Sequence, residues 1–395
     1  MVPIAAALGY ATSVIHIYSL GVFIEPIAKA FGWTRTEVAV GLTISTLIQA
    51  FISIPVGLAV DRFGPRPLAL LGALLTAAAF ANIGNATGSH AQWYLSWVLM
   101  SAATIPVQAT VWTSAVASRF KASRGLSLAV TMCGASVALA LFPTLGTRLI
   151  ESYGWRTAMR LEAAIWIAIA WPVIALFFRG ARDRPRKAAE QAAAPKFAGA
   201  SLAEGLESTI YLRLFVASLL FTFTIIGLNV HFPLVLKSYG FTPLAAAATA
   251  SLIGLSSIVG RLATGVMLDW FRGSLVGAAA FLMPALACAV LLLGGGTAIS
   301  ASIAALLIGL TLGAEIDVIV YLVTHYFGLR SFGALYGGML AALSLGTAFG
   351  PLLAARIFDT MGSYVPFLWL TIGCMILSSL SLVSLPSSAL RFREV

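Results

Sequence analysis

The chain has 395 residues, of which 60% are hydrophobic and only 10% charged, and its mean hydropathy is +0.97. A soluble domain carries about 25% charged residues, so this composition excludes an ordinary soluble fold, which could not bury so much apolar surface. The net charge of +10 would suit nucleic acid, but no basic stripe is interleaved with exposed aromatic residues. We therefore predict no nucleic-acid partner.

The apolar runs of the sequence predict membrane-spanning helices. In lipid, backbone amides must be satisfied within a helix or a closed barrel. The runs are unbroken and about 20 residues long, enough to cross about 30 Å of hydrocarbon, whereas barrel strands alternate apolar and polar residues over about 10 positions. We predict an all-α membrane protein. The predicted spans are 4–27, 38–59, 67–86, 92–116, 126–149, 157–178, 211–236, 244–268, 275–293, 298–322, 332–356 and 364–385.

Six predicted spans lie on each side of the only long polar stretch. This arrangement predicts an N-terminal six-helix bundle at 1–178, a cytoplasmic linker at 179–208 and a C-terminal six-helix bundle at 209–395. The linker begins with a basic run, and its composition allows a short amphipathic helix after Pro195.

The two predicted bundles repeat one another at a spacing of 208 residues. The matching pairs include Gly32 with Gly240, Gly57 with Gly265, Asp61 with Asp269, Pro143 with Pro351 and Gly154 with Gly362. Because six spans per repeat is an even number, both repeats point the same way across the membrane. Such repeats in an apolar chain are typical of two-halved transporters.

The distribution of basic residues predicts the orientation. With both termini in the cytoplasm, the inner loops hold fifteen Lys and Arg residues and the outer loops seven, as the positive-inside rule requires. The N-terminus lacks a basic n-region, so we expect no cleaved signal peptide. We predict a monomeric, multi-pass protein of the cell (inner) membrane.

The sequence lacks the patterns that catalysis or cofactor binding would need. Cys133, Cys288 and Cys374 lie inside apolar runs, form no Cys-x-x-Cys pair, and are interpreted as packing residues. Gly294-Gly295-Gly296 is not followed by Lys and Ser or Thr, so it is no phosphate loop. We expect no enzyme activity, no metal site and no cofactor.

A ten-residue motif stands between spans 2 and 3. The run Gly57-Leu-Ala-Val-Asp61-Arg62-Phe63-Gly64-Pro65-Arg66 resembles the G-x-x-x-D-R-x-G-x-R signature of the major facilitator superfamily at every specified position. The second copy, from Gly265 to Gly273, is degenerate, as is usual in that superfamily. The resemblance extends over the whole chain and implies that spans 1, 4, 7 and 10 line a central cavity.

A finer resemblance concerns spans 1 and 10. The segments 18–26, 31–35, 313–317 and 335–337 are similar to the monocarboxylate-transporter and oxalate/formate-exchanger branch. In that branch an Arg in span 8 grips the substrate carboxylate, and Arg261 occupies that place. The chain departs from the branch at Tyr18, where animal carriers place a Lys, and at Ser257, where they place an Asp. It also has no Lys between 332 and 356, where oxalate exchangers place one.

Arg261 is the strongest candidate for a substrate-binding residue. It lies eight residues before Asp269, about 12 Å of helix rise inside the hydrocarbon. A guanidinium at that depth is costly unless it faces water or a partner, and its planar fork suits a carboxylate. Ser257, one turn earlier on the same face, is predicted to assist. The alternative is a structural ion pair with Asp269 or with a carboxylate on span 10.

Two carboxylates lie deep in the second half, Glu315 and Asp317. Residues two apart on a helix are separated by about 200°, so both cannot face one cavity. One is predicted to pair with Arg261 or to carry a proton. The other is predicted to pack against span 11 or to cap a loop, and the sequence leaves open which is which.

Further polar residues lie on the spans that the resemblance assigns to the cavity. Predicted substrate contacts are Tyr18, Asn229, Tyr321 and Gln108, the last sharing a helix face with Trp112. Histidine titrates near neutral pH, so the predicted proton relays also include His16 and His231. The alternative for each is a hydrogen bond to a neighbouring helix.

The residues predicted to control gating are Asp61, Arg62, Arg66 and Asp269. An Asp beside the N-terminal end of a helix gains from the helix dipole. Symmetry in the resembling family implies that Asp61 lies near the start of span 11 and Asp269 near the start of span 5. Such contacts would hold the cytoplasmic side closed; the alternative is a plain charged turn.

These observations predict a secondary active transporter that moves a small organic monocarboxylate by alternating access in symport with a proton. The alternative is a drug or metabolite exporter working as a proton antiporter. A Gly-Pro-x-x-Gly-Gly pattern on span 5 would favour the exporter, but span 5 reads Pro143-Thr-Leu-Gly146. A membrane enzyme or channel is the third alternative. It lacks a visible catalytic set, and a pore would not need a duplicated half.

Overall fold

The structure is a computed structural model that describes residues 1–119, 124–179, 199–328 and 330–386. Side chains are described for these residues except 52–63, 117–118, 124–126 and 333. The side chains of Asp61 and Arg62, most of the predicted linker and the segment directly after Pro195 therefore lie outside the described residues.

The described chain consists almost entirely of helices. These are α1 Val2–Ser13, α2 Ile15–Phe31, α3 Arg35–Phe63, α4 Pro65–Ile83, α5 His90–Thr104, α6 Ala109–Arg119, α7 Arg124–Phe177, α8 Leu202–Glu207, α9 Thr209–Ser238, α10 Pro243–Trp270, α11 Gly273–Leu293, α12 Ala298–Phe327, α13 Phe332–Met361 and α14 Val365–Val383. Ten segments of the described chain are long and apolar enough to cross a membrane. The predicted all-α membrane fold is confirmed.

Four of the predicted spans depart from a simple helix. Span 1 is divided into α1 and α2 at Val14, which has φ −109° and ψ 6°. Span 4 is divided into α5 and α6 by a 3-10 turn at Ile105–Val107. Spans 5 and 6 are joined in α7, whose helical conformation is interrupted at Gly154 (φ 75°, ψ 159°).

The sequence repeat has a backbone counterpart. Gly32 ends α2 with φ 68°, and its partner Gly240 follows α9 with φ 92°. Gly154 and its partner Gly362 also have positive φ, 75° and 68°. Only glycine adopts this region at little cost, so the repeat preserves glycine where the chain must leave a helix.

The chain forms two compact units, and each is described by itself. The first unit is Met1–Lys187 with Val230–Leu255. Within it α1, α2, α4 and α6 pack on α7, and α5 packs on α3. Its core holds the fully buried indole rings of Trp93, Trp97 and Trp112.

The second unit is Ala188–Asn229 with Ser256–Val395. Within it α11 packs on both α12 and α14. Helix α13 approaches α9 closely at Gly346 and Gly350, where an added Cβ would overlap the backbone of Phe223. The domain boundaries drawn from the sequence stay a prediction.

A short helix precedes the first span of the second unit. Ser201 and Glu204 form a capping box at its start, with the Ser201 backbone N–H donating to Glu204 Oε2 at 2.8 Å. This N–H and the Ser201 hydroxyl lower the pKa of Glu204. Gly205 lies against Leu335 of α13, so the helix is packed on the second unit.

Candidate functional site

Two glycines bring α10 and α12 into close contact in the second unit. A Cβ added at Gly313 would overlap the carbonyl oxygen of Ser257, and one added at Gly260 would overlap that of Leu310. Helices that present glycine at a crossing can pack backbone to backbone. This crossing places Arg261 of α10 beside the carboxylates of α12.

Arg261 is buried, with 7% of its side chain exposed. Its Nη1 lies 3.5 Å from Asp317 Oδ1, which is at the outer limit of a hydrogen bond. Its Nε has no hydrogen-bond partner among the described residues. Because a guanidinium has five N–H donors, Arg261 retains donor capacity for a further acceptor.

The two carboxylates of α12 have different surroundings, as their spacing predicts. Glu315 is buried and accepts a hydrogen bond from the Thr222 hydroxyl of α9 at 3.0 Å. Asp317 leaves 34% of its side chain exposed and is the partner of Arg261. Asp317 is therefore the more exposed of the two acids, while Glu315 is held inside the unit.

The other predicted residues of the second unit are distributed more widely. Ser257 is buried one turn before Arg261. Asn229 is buried on α9, and its Oδ1 has no partner among the described residues. Tyr321 lies one turn beyond Asp317, stacks on His325 with ring centroids 5.8 Å apart, and lies against Gly273 at the start of α11.

The predicted residues on spans 1 and 7 of the first unit are mostly buried. His16 is 1% exposed; its Nε2 lies 3.4 Å from Gln49 Nε2, and its Nδ1 has no partner among the described residues. His231 is fully buried, and Tyr18 is partly exposed.

The prediction that Gln108 and Trp112 share a helix face is wrong. Gln108 follows the 3-10 turn with an extended backbone, φ −60° and ψ 159°, so no continuous α-helix joins the two residues. Pro106 lies in this turn; it lacks an N–H and clashes with the preceding helical turn. Trp112 is buried, and its indole N–H donates to the Val107 carbonyl at 2.7 Å.

The predicted gating residues are only partly described. The Arg66 Nη2 donates to the Ala175 carbonyl at 2.8 Å, which ties the start of α4 to the end of α7. Asp269 is exposed near the end of α10. The side chains of Asp61 and of residues 124–126, near the start of span 5, lie outside the described residues. The gating roles therefore stay predictions.

Two buried or half-buried carboxylates of the first unit lie outside the predicted site, and one of them, Glu162, was missed by the sequence analysis. Glu162 of α7 is fully buried and accepts a hydrogen bond from Ser19 at 2.8 Å. Glu25 of α2 pairs with Lys29 at 2.7 Å and also with Lys237 of α9. The signal for Glu162 was a carboxylate inside predicted span 157–178, but its partner is 143 residues away.

The described residues include no group of three or more His, Cys, Asp and Glu side chains that could hold a metal ion. The charged side chains brought together at the α10–α12 crossing are the guanidinium of Arg261 and the carboxylates of Glu315 and Asp317. This set can bind an anion and exchange a proton.

Comparison with known proteins decides the family. The model of the Major Facilitator Superfamily matches residues 6–351. The chain belongs to the major facilitator superfamily. The resemblance carried by the motif at 57–66 is thereby confirmed, and the chain is a multi-pass membrane transporter of this superfamily.

Individual relatives agree with this assignment. Monocarboxylate transporter 13 of Bos taurus is 30% identical over 256 residues, which cover 65% of this chain and 58% of that protein. An MFS-type transporter of Gibberella moniliformis is 28% identical over 335 residues, covering 82% of this chain and 76% of that protein. The match to the first relative thus spans less than two thirds of its length.

A solved structure has the same fold. It is a bacterial homologue of the human lysosomal transporter Spinster in an inward-facing and occupied conformation. The TM-score is 0.68 at 16% identity, and the alignment covers 97% of this chain and 94% of that one.

Proposed function

We propose that this transporter carries a small organic monocarboxylate across the cell membrane by alternating access, in symport with a proton. The single observation that carries the proposal is the state of Arg261: it is buried, its Nη1 lies 3.5 Å from Asp317, and its Nε has no hydrogen-bond partner among the described residues. A desolvated guanidinium with free donors suits a carboxylate. The similarity to monocarboxylate transporter 13 supports the same substrate class.

Asp317 is the proposed site at which proton and substrate are linked. With Asp317 ionised, its negative charge occupies Arg261 and repels a second anion. When Asp317 is protonated, Arg261 becomes available to the substrate carboxylate. One proton and one monocarboxylate then enter together, and the charge at the crossing is unchanged.

Glu315 has a supporting role in this proposal. Glu315 accepts a hydrogen bond from Thr222. The positive charge of Arg261 acts on both Glu315 and Asp317. Removing the Asp317 charge therefore leaves one carboxylate near the guanidinium. The contacts proposed for Ser257, Tyr18, Asn229, Tyr321 and Gln108, and the proton roles of His16 and His231, stay predictions.

We also infer that both termini lie in the cytoplasm; the monomeric state stays a prediction. The inference is based on the excess of Lys and Arg in the inner loops, fifteen against seven. Cysteines introduced next to each terminus should resist a membrane-impermeant maleimide added to intact cells. Labelling at either end would overturn this orientation.

The experiment that tests the function is uptake of labelled monocarboxylates by proteoliposomes, with and without a pH gradient. Arg261→Ala should lower uptake at least about 30-fold, because truncating one partner of a buried charged contact costs about 2 kcal/mol or more. Arg261→Lys should recover only part of the activity, because an ammonium lacks the planar fork.

The matched control is Arg213→Ala, which removes an arginine whose Nη1 donates to the Ser384 carbonyl at 3.1 Å and to the Ser384 hydroxyl at 3.4 Å. This variant should transport like the parent. If Arg261 serves only to pair with Asp317, then Asp317→Asn and the double variant will lose as much uptake as Arg261→Ala. If the proposal holds, Asp317→Asn keeps substrate binding and makes uptake insensitive to the pH gradient.

A further inference from the structure

The first unit contains a buried carboxylate, Glu162, that the proposed site does not use. Glu162 lies eight residues after the break at Gly154, which is about 12 Å along the helix. It is fully buried. Its Oε1 accepts from the Ser19 hydroxyl at 2.8 Å, and its Oε2 has no hydrogen-bond partner among the described residues.

One neutral hydrogen bond does not satisfy an ionised carboxylate. Such a group offers about four lone-pair sites, and a buried charge without a partner neutralises instead. The nearest cations along α7 are engaged elsewhere: Arg156 donates to the Ala86 carbonyl at 3.1 Å, and Arg160 donates to Asn85. Neither compensates Glu162.

The helices packed on α7 bring no described cation to Glu162. Their titratable side chains are Tyr10 of α1, His16, Tyr18, Glu25 and Lys29 of α2, Arg66 of α4 and Arg119 of α6. Lys29 pairs with Glu25, Arg66 bonds to Ala175, and Arg119 bonds to the Arg179 carbonyl. Ser19 remains the donor that the structure gives to Glu162.

Glu162 belongs to a polar seam between span 1 and α7, formed by Thr12, Ser19, Glu162 and Trp166. The Trp166 indole N–H donates to the Thr12 hydroxyl at 2.8 Å, one turn of α7 beyond the Ser19–Glu162 bond. The break of span 1 at Val14 lies between Thr12 and Ser19. The Glu162 Oε2, which has no hydrogen-bond partner among the described residues, therefore lies in a buried polar seam that crosses a helix break.

We propose that Glu162 is a proton-binding site of the first unit. It holds a proton on Oε2 in the conformation described here and releases it when span 1 moves at its Val14 break and water enters the seam. In that step the Oε2–H bond breaks, the proton passes to water, and the carboxylate keeps the Ser19 hydrogen bond. Proton binding does not depend on the substrate, whereas a role in coupling rests on the proposed symport.

Infrared spectroscopy of the purified protein in lipid vesicles tests proton binding without any substrate. Near neutral pH, Glu162→Gln should remove a C=O band of a protonated carboxyl, and Ser19→Ala should shift that band because it loses a hydrogen bond. The control Glu207→Gln, on the exposed face of α8, should leave it unchanged. Identical spectra for the parent, Glu162→Gln and Ser19→Ala would overturn the proposal.

The coupling role is tested by the accumulation ratio in proteoliposomes under a pH gradient of one unit. Each coupled proton supports about tenfold accumulation of a labelled monocarboxylate, so coupling through Glu162 in addition to Asp317 predicts about 100-fold for the parent. Glu162→Gln should lower the ratio about tenfold, whatever its exchange rate. An unchanged ratio with the infrared band lost would leave Glu162 a proton site without a coupling role. If Arg261→Ala retains full uptake, the proposed function fails while the infrared result still stands.

Discussion

Each unit of this transporter buries a carboxylate that accepts a hydroxyl hydrogen bond from the first span of its own half. In the first unit Ser19 donates to Glu162 at 2.8 Å, and in the second Thr222 donates to Glu315 at 3.0 Å. The two acids do not match in the 208-residue repeat. The arrangement therefore arises from different spans, span 6 in one unit and span 10 in the other.

The difference between the two sites is the cation. The second unit places Arg261 within reach of Asp317 and acting on Glu315, whereas Glu162 has no described cation beside it. A guanidinium between acids can exchange one anion for another, which suits substrate binding. A lone buried acid can only gain or lose a proton. The two halves of one fold are thus suited to two different tasks.

The largest effect is expected from a substitution that separates α10 from α12, the two helices that bring Arg261 to Asp317. Gly313→Ala forces a methyl group into the Ser257 carbonyl, and we expect a loss of about 1–3 kcal/mol in unfolding free energy together with loss of transport. Gly373→Ala is the control, because no atom lies within 4 Å of its added Cβ. It should be neutral or stabilising, since Ala favours helix. Thermal denaturation in detergent measures both, and equal melting temperatures would contradict the close crossing.

The same acid-to-amide change should cost different amounts of stability in the two units. Asp317→Asn leaves a buried guanidinium without its charge partner and should cost about 1–2 kcal/mol, a value reduced by the partial exposure of Asp317. Glu162→Gln replaces a neutral carboxyl by a neutral amide and should cost less than about 1 kcal/mol. The free energies of unfolding of the two variants, measured by denaturation near neutral pH, test this difference. A larger loss for Glu162→Gln would mean that Glu162 is ionised.

A third carboxylate tests whether a cation beside an acid matters when solvent can reach the pair. Glu25 of α2 is bonded by Lys29, which is 76% exposed, and by Lys237, which is 29% exposed. Lys29→Ala should change stability by less than about 0.5 kcal/mol, as exposed i, i+4 pairs do. Lys237→Ala should cost more, up to about 1 kcal/mol. A larger loss of stability for Lys29→Ala than for Lys237→Ala would contradict the prediction.

Local sequence patterns were sufficient to predict much of the fold. The long apolar runs predict the spans, and the repeat pairs Gly32 with Gly240 and Gly154 with Gly362, which all have positive φ in the structure. Arg261 stood out because a guanidinium inside an apolar run is costly and rare. The prediction that Gln108 and Trp112 share a helix face failed because Gln108 has an extended backbone and directly precedes α6, the helix that contains Trp112.

The sequence by itself determined the membrane class, the duplicated halves and the buried arginine, because hydropathy, periodicity and charge are properties of neighbouring residues. Only the tertiary structure decided the partners. Ser19 meets Glu162 across 143 residues, Thr222 meets Glu315 across 93, and Lys237 meets Glu25 across 212. Such pairs depend on how helices pack, and in an apolar chain many packings share the same local pattern. Which acid has a cation and which is left with a hydroxyl is therefore set by the helix contacts.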